Sequence, residues 1–191
     1  MSVSSALRKL RLRGTSLEYL EEFYKQINAE ENDRGAAILS AVTVETMLIN
    51  TIVRRLPNGA AMYGQIFENQ GPLATFDDKI VIAQALGIIG PETKNNLNTI
   101  KHIRNTFAHA GIPITFSTRE IADACGALTV PPNPRRFSNE DLVLFTPRQR
   151  YTGICEATAV NLQIYAIGCG YVRIELVRPG AMIPMTPAPL P

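Results

Sequence analysis

The stretch from Asp33 to Leu56 (DRGAAILSAVTVETMLINTIVRRL) limits most sharply what this chain can fold into. Asn32 or Asp33 caps it as a helix, and Pro57 stops it, because proline lacks the N–H that a further turn needs. The helix is apolar around most of its circumference, with one polar strip of Ser40, Thr43, Asn50 and Thr51. A helix of this kind cannot sit on a surface; other helices must cover it, so it is the centre of an all-α domain. Glu45 is the exception. It lies on the side away from the polar strip, at heptad-like spacing with Ile38, Val42, Ile49 and Ile52. An ionised carboxylate there is costly unless paired, so an Arg or His from another helix is its expected partner.

The other helices follow from apolar spacing and punctuation. Ser16 caps a helix over 16–30 with Leu17, Leu20, Phe23, Tyr24 and Ile27 on one face. Residues 57–74 (PNGAAMYGQIFENQGPLA) read as a long connection tucked down by Phe67 and Leu73. Thr75 and Asp78 form a capping box for a helix over 76–86, which Gly87 ends with positive φ. Pro91 opens the next helix, 91–109, whose core face is Leu97, Ile100, Ile103 and Phe107. Ser117 and Glu120 pattern as a capping box for a short helix over 118–127. Residues 129–137 are extended, 138–145 form a short helix or strand, and 148–167 the last helix. Residues 171–177 (YVRIELV) alternate as a strand would, and the final 13 residues hold five prolines and no charge. The expected architecture is thus a bundle of five to six helices. It is flanked by a basic arm at 1–14 and, over 171–191, an extended or disordered Pro-rich tail.

With 191 residues and 46% apolar content, the helical part (15–170) is long enough for one real core. A net charge of +2 supplies no global field toward nucleic acid, although Arg8, Lys9, Arg11 and Arg13 concentrate positive charge at the start. Cys125, Cys155 and Cys169 contain no CxxC, and with two histidines they make no zinc set, so buried thiols and no metal or cofactor are expected. No apolar run suggests a membrane span and no signal peptide is evident, which gives a cytoplasmic location as the default.

The chemistry-bearing residues gather in Ile100–Ala110 (IKHIRNTFAHA), which holds both histidines, His102 and His109. At about 100° per residue, His102, Asn105, Thr106 and His109 share one stripe, away from Ile100, Ile103 and Phe107. Arg104 lies about 140° from His109, so the two meet only through the helix end at Gly111 or across a second subunit. If they meet, a neutral imidazole can take a proton from an RNA 2′-hydroxyl while the guanidinium holds the phosphate, with Asn105 as a further donor. The structural alternative pairs Arg104 with Glu45 and leaves His109 as a favourable residue at the helix C-terminus.

The runs DRGAAILSAVTVETML (33–48), GPLATFDDKIVIAQALGII (71–89), IKHIRNTFAHA (100–110) and TPRQRY (146–151) resemble the mannitol operon repressor family. That family is similar to the wider HEPN helical domains, whose hallmark is Arg, four to six residues and His, often with a polar residue after the Arg. Arg104, Asn105 and His109 match it. The resemblance implies an up-and-down helical bundle with this motif at a homodimer cleft. It implies either a regulator that works through a protein partner or a metal-independent RNase, with His109 as base and Arg104 as clamp, supported by Glu45 and His102. A structural module in which the motif only holds an interface is the third reading. In HEPN toxins controlled by a nucleotidyltransferase, a tyrosine follows the His; here Ala110, Gly111 and Ile112 do, which puts such control in doubt. No helix-turn-helix or basic recognition helix is present, so no direct DNA readout is expected.

Overall fold

The computed structural model describes residues 17–29, 32–56, 58–68, 70–131, 137–138 and 140–167. The expected basic arm, the strand expected over 171–177, the Pro-rich tail and Cys169 lie outside them. The described residues form seven α-helices and no strand: α1 Leu17–Ala29, α2 Asp33–Arg55, α3 Tyr63–Phe67, α4 Phe76–Ala85, α5 Pro91–His109, α6 Arg119–Gly126 and α7 Pro147–Ile167. The all-α expectation holds, with α3 as an added short helix inside the 57–74 connection. Its Phe67 is buried and Leu73 packs on the core, as expected. Residues 138–145 contain a single 3-10 turn, Asp141–Val143.

As expected, α2 is the centre, and α1, α4, α5 and α7 all pack on it. Its fullest contact is with α7, and the two run parallel. Arg148, Tyr151 and Leu162 of α7 meet Asp33, Ala37 and Thr51 of α2 in the same order, with Tyr151 Oη donating to the Ala37 carbonyl at 3.0 Å. α5 runs the other way, since its end meets Arg34 and its middle meets Glu45. The polar strip of α2 is turned inward: Ser40, Thr43 and Thr51 are buried, while Leu39 and Val42 are exposed. Thr43 and Thr51 donate to carbonyls one turn back, Leu39 and Met47, at 2.9 and 2.8 Å, so neither hydroxyl is left unsatisfied, whereas the Ser40 hydroxyl has no partner among the described residues. Small side chains then let α2 and α7 approach closely. By length and composition α2 could cross a membrane, contrary to expectation, yet 56% of its most apolar window is buried inside the bundle.

Local signals behave as their chemistry dictates. Asn32 Oδ1 caps α2, accepting from the N–H groups of Arg34 and Gly35. Thr75 and Asp78 form the full capping box of α4. Gly87, at φ 66°, closes α4 in a Schellman turn, with Ile88 N–H donating to Ala83 O and Gly87 N–H to Gln84 O. The Ser117–Glu120 box does not form. Thr118 takes the cap position, and its hydroxyl instead accepts from Thr115 N–H. The helix starts one residue later than the box requires, so Ser117 falls outside it and Glu120 sits at its second position, not its third.

Gly87→Ala should lower stability by about 1 kcal/mol in urea denaturation, because an L side chain at that φ is strained. Cys125 and Cys155 are free and buried; burial pushes the Cys125 thiol up to about 12 and the Cys155 thiol well above its ordinary range. Both should resist a thiol-labelling reagent at pH 8 in the folded protein and react on unfolding, read by mass spectrometry.

Candidate functional site

Gly90 and Pro91 start α5, and Leu97, Ile100, Ile103 and Phe107 bury its inner face. Arg104 follows at the margin of that face, where α5 crosses α2 and α4. Its Nη2 lies 3.5 Å from Glu45 Oε2, and its guanidinium sits 6.0 Å from the Phe76 ring centre. The nearer partner of Glu45 is Lys79 of α4, whose Nζ donates to Oε1 at 2.6 Å and to the Ala74 carbonyl at 3.0 Å. Glu45 therefore has the arginine partner that the sequence demands and a lysine besides. Lys79 is only 3% exposed, so its ammonium depends on these two acceptors.

Lys79 carries a signal of its own in the chain. It stands with Phe76, Ile80 and Ala83 on the apolar face of α4, where a lysine implies a buried acid nearby. Beside this cluster, Lys101 donates to Asp77, and that hydrogen bond and charge, with smaller help from His102 and Lys94, hold the Asp77 carboxyl below its ordinary value.

His109 ends α5 on the solvent side, and His102 and Thr106 are exposed with it on the expected stripe; Asn105 is half-buried. Among the described residues the imidazole of His109 has no hydrogen-bond partner. Arg104 points to α2 and α4 instead. One chain thus joins Arg104 to Glu45 but does not bring it to His109, as the helical geometry requires. Arg34, which the sequence reading passed over, reaches from the first turn of α2 to the Ala110 carbonyl at 2.9 Å and grips the end of α5. Next to it, Asp33 accepts from Phe116 N–H at 2.8 Å and from Arg148 at 2.9 Å. No group of metal-ligating side chains occurs among the described residues.

A cavity of about 740 Å³ lies elsewhere, lined by residues that include Asn28, Phe137, Phe145, Arg148, Gln149 and Glu156. Its polar groups already serve the fold. Arg148 binds Asp33, and Gln149 accepts from Thr146 at the start of α7.

No protein-family model and no curated protein matches the chain. The fold is similar to that of a chain in the X-ray structure of the MtlR–HPr complex from Escherichia coli. The TM-score is 0.52 and the identity 18%, over 78% of this chain and 96% of that one. At that identity the likeness is one of fold.

Glu45→Ala should destabilise by about 3 kcal/mol in urea denaturation, since it strands the buried Lys79 ammonium. Glu45→Leu combined with Lys79→Met should recover the part of the loss that comes from the buried ammonium, leaving only the partly exposed Arg104 without its partner. A loss within about 0.5 kcal/mol for the single variant would show Glu45 to be solvated.

Proposed function

We propose that this chain is a cytoplasmic regulatory protein that works as a homodimer by binding a protein partner. The observation that carries this reading is the commitment of Arg104. Its guanidinium is engaged by Glu45 and Phe76 at a three-helix junction, and it does not stand beside His109 as a phosphate clamp would. Two further points support it. The fold is shared with MtlR or its partner in a protein–protein complex, and the sequence resembles the repressor family. No helix among the described residues carries the basic face of a DNA reader, which favours contact with a protein as the route of regulation.

A second reading, a metal-independent RNase, draws support from one feature. Arg104 Nε has no acceptor among the described residues, and its contact with Glu45 is long at 3.5 Å. Across a homodimer cleft the arginine can therefore turn toward an RNA phosphate, with Asn105 beside it and a partner's imidazole as the base.

Two assays separate the readings. Purified protein incubated with mixed RNA in EDTA is expected to leave the RNA intact, as are His109→Ala and Arg104→Ala. Cleavage by wild type alone, with 2′,3′-cyclic ends, would establish the second reading in place of the first. An affinity pull-down from the source cell's lysate is expected to retain a specific protein at near-stoichiometric yield; recovery of none counts against partner binding.

A further inference from the structure

The solvent side of α2 is unlike an ordinary helix surface. Leu39, Val42, Thr46, Ile49 and Val53 follow one another at steps of three, four, three and four residues and so form one strip. Leu39 is 39% exposed and Val42 47%, and Thr46, Ile49 and Val53 are half-buried. The strip runs about 21 Å along the helix at 1.5 Å per residue. From residue 35 to 53 the only charged residue is Glu45, which Lys79 and Arg104 hold at the strip's edge. Thr46 Oγ1 donates to the Val42 carbonyl at 2.8 Å, so no unsatisfied hydroxyl enters it. The strip lies about half a turn from Ala37 and Thr51, the side that meets α7. A charge-free apolar strip of this length is a surface made to be covered.

We infer that the chain's own Pro-rich tail, residues 179–191, lies along this strip. The path begins where α7 ends. Leu162 of α7 meets Thr51 of α2 and the two helices run parallel, so α7 finishes at Ile167 level with the end of α2. The next eleven residues, 168–178, reach about 36 Å at most, about twice the half-circumference of a helix, and so pass round α2 with length to spare. The flank they cross is open. Ile27 meets Arg148, while Tyr24 senses the charges of Cys155 and Glu156 further up α7, so α1 runs antiparallel to α7 and α2. With α4 and α5 on the Glu45 side of α2, α1 takes the opposite flank. At 13 residues against 23, it covers only about 20 of the 35 Å of α2. On the same flank Asn50 stands between Thr51 and the strip, and its Nδ2 is buried with no hydrogen-bond partner among the described residues. A backbone carbonyl of a crossing segment is the acceptor this donor lacks.

Composition selects the tail over the basic arm. Residues 179–191 carry no charge, and Met182, Ile183, Met185 and Leu190 supply apolar side chains. Their five prolines lack N–H groups and favour the polyproline II form, which needs no pairing partner and lies on a helix without stranding donors. At about 3.1 Å per residue, about seven residues span the strip. The arm would bring Arg8, Lys9, Arg11 and Arg13 to a surface whose one carboxylate is already held by Lys79 and Arg104. The tail's placement does not depend on the homodimer or on partner binding.

The test uses the full chain in a Cys169→Ser background, with a benzophenone attached through Ala188→Cys; Cys125 and Cys155 are buried and stay unlabelled. After irradiation, peptide mapping should join the tail to the α2 peptide that holds the strip, in a band of one chain's mass, 21.0 kDa. Val42→Glu should lower that yield severalfold with an unchanged circular dichroism spectrum. Val81→Glu, which alters a still more exposed valine on α4, should leave the yield as it was. Three results would overturn the inference. Cross-links to other faces, or none, place the tail elsewhere. The same peptides joined in a band of twice the mass make the occupant a second copy. A yield that Val42→Glu does not lower shows that the apolar strip does not hold the tail.

Discussion

The close approach of α2 and α7 is the constraint from which the rest of the arrangement follows. It requires that the side of α2 facing α7 carry small side chains, and alanine, serine and threonine meet that need. The hydroxyls of Thr43 and Thr51 return to the helix's own carbonyls, so burial costs them little. Once α7 has taken that side, α1 and α5 can pack only on the flanks, and α4 wedges in beside α5. One longitudinal strip of α2 then remains uncovered. The apolar residues that a simpler bundle would bury are left on the surface because polar ones took their place in the core.

The junction of α2, α4 and α5 obeys a different logic. A carboxylate, an ammonium and a guanidinium meet there, the guanidinium beside the Phe76 ring, and the buried Lys79 ammonium would not be stable without the carboxylate. Such a cluster is worth little as net stabilisation compared with apolar packing, but removing one member is costly. Its value lies in register. Glu45 can satisfy both cations only when α4 and α5 sit at one height along α2. Arg104 is thereby held in the fold, and any chemistry asked of it has to compete with that role.

Much of this was legible in the chain. The central helix, its boundaries, the capping box at Thr75, the positive φ at Gly87 and the divergence of Arg104 from His109 all follow from local rules with local causes. The pairing of Glu45 with Arg104 followed from a single misplaced charge. What was not legible had tertiary causes. The polar strip of α2 turned inward because α7 needed close approach, a fact that no periodicity within α2 records. The box at Ser117 failed because the turn over 115–118 made Thr118 the cap and shifted the helix start by one residue. Lys79 went unnoticed because lysine is read as a surface residue, even though its neighbours on α4 are all apolar. Arg34 was hidden for a similar reason: a basic side chain in the first turn opposes the helix dipole, and only the carbonyl of Ala110, distant in sequence, explains it.

The knot formed by Asp33, Arg34, Phe116, Ala110 and Arg148 has a mechanical consequence. It fastens the start of α2, the exit of α5 and the start of α7 at one end of the molecule. The exit of α5 just past His109 is therefore tied directly to the first turn of α2. The helix that bears the exposed strip and the helix that bears the histidines are thereby joined at one end like the arms of a yoke.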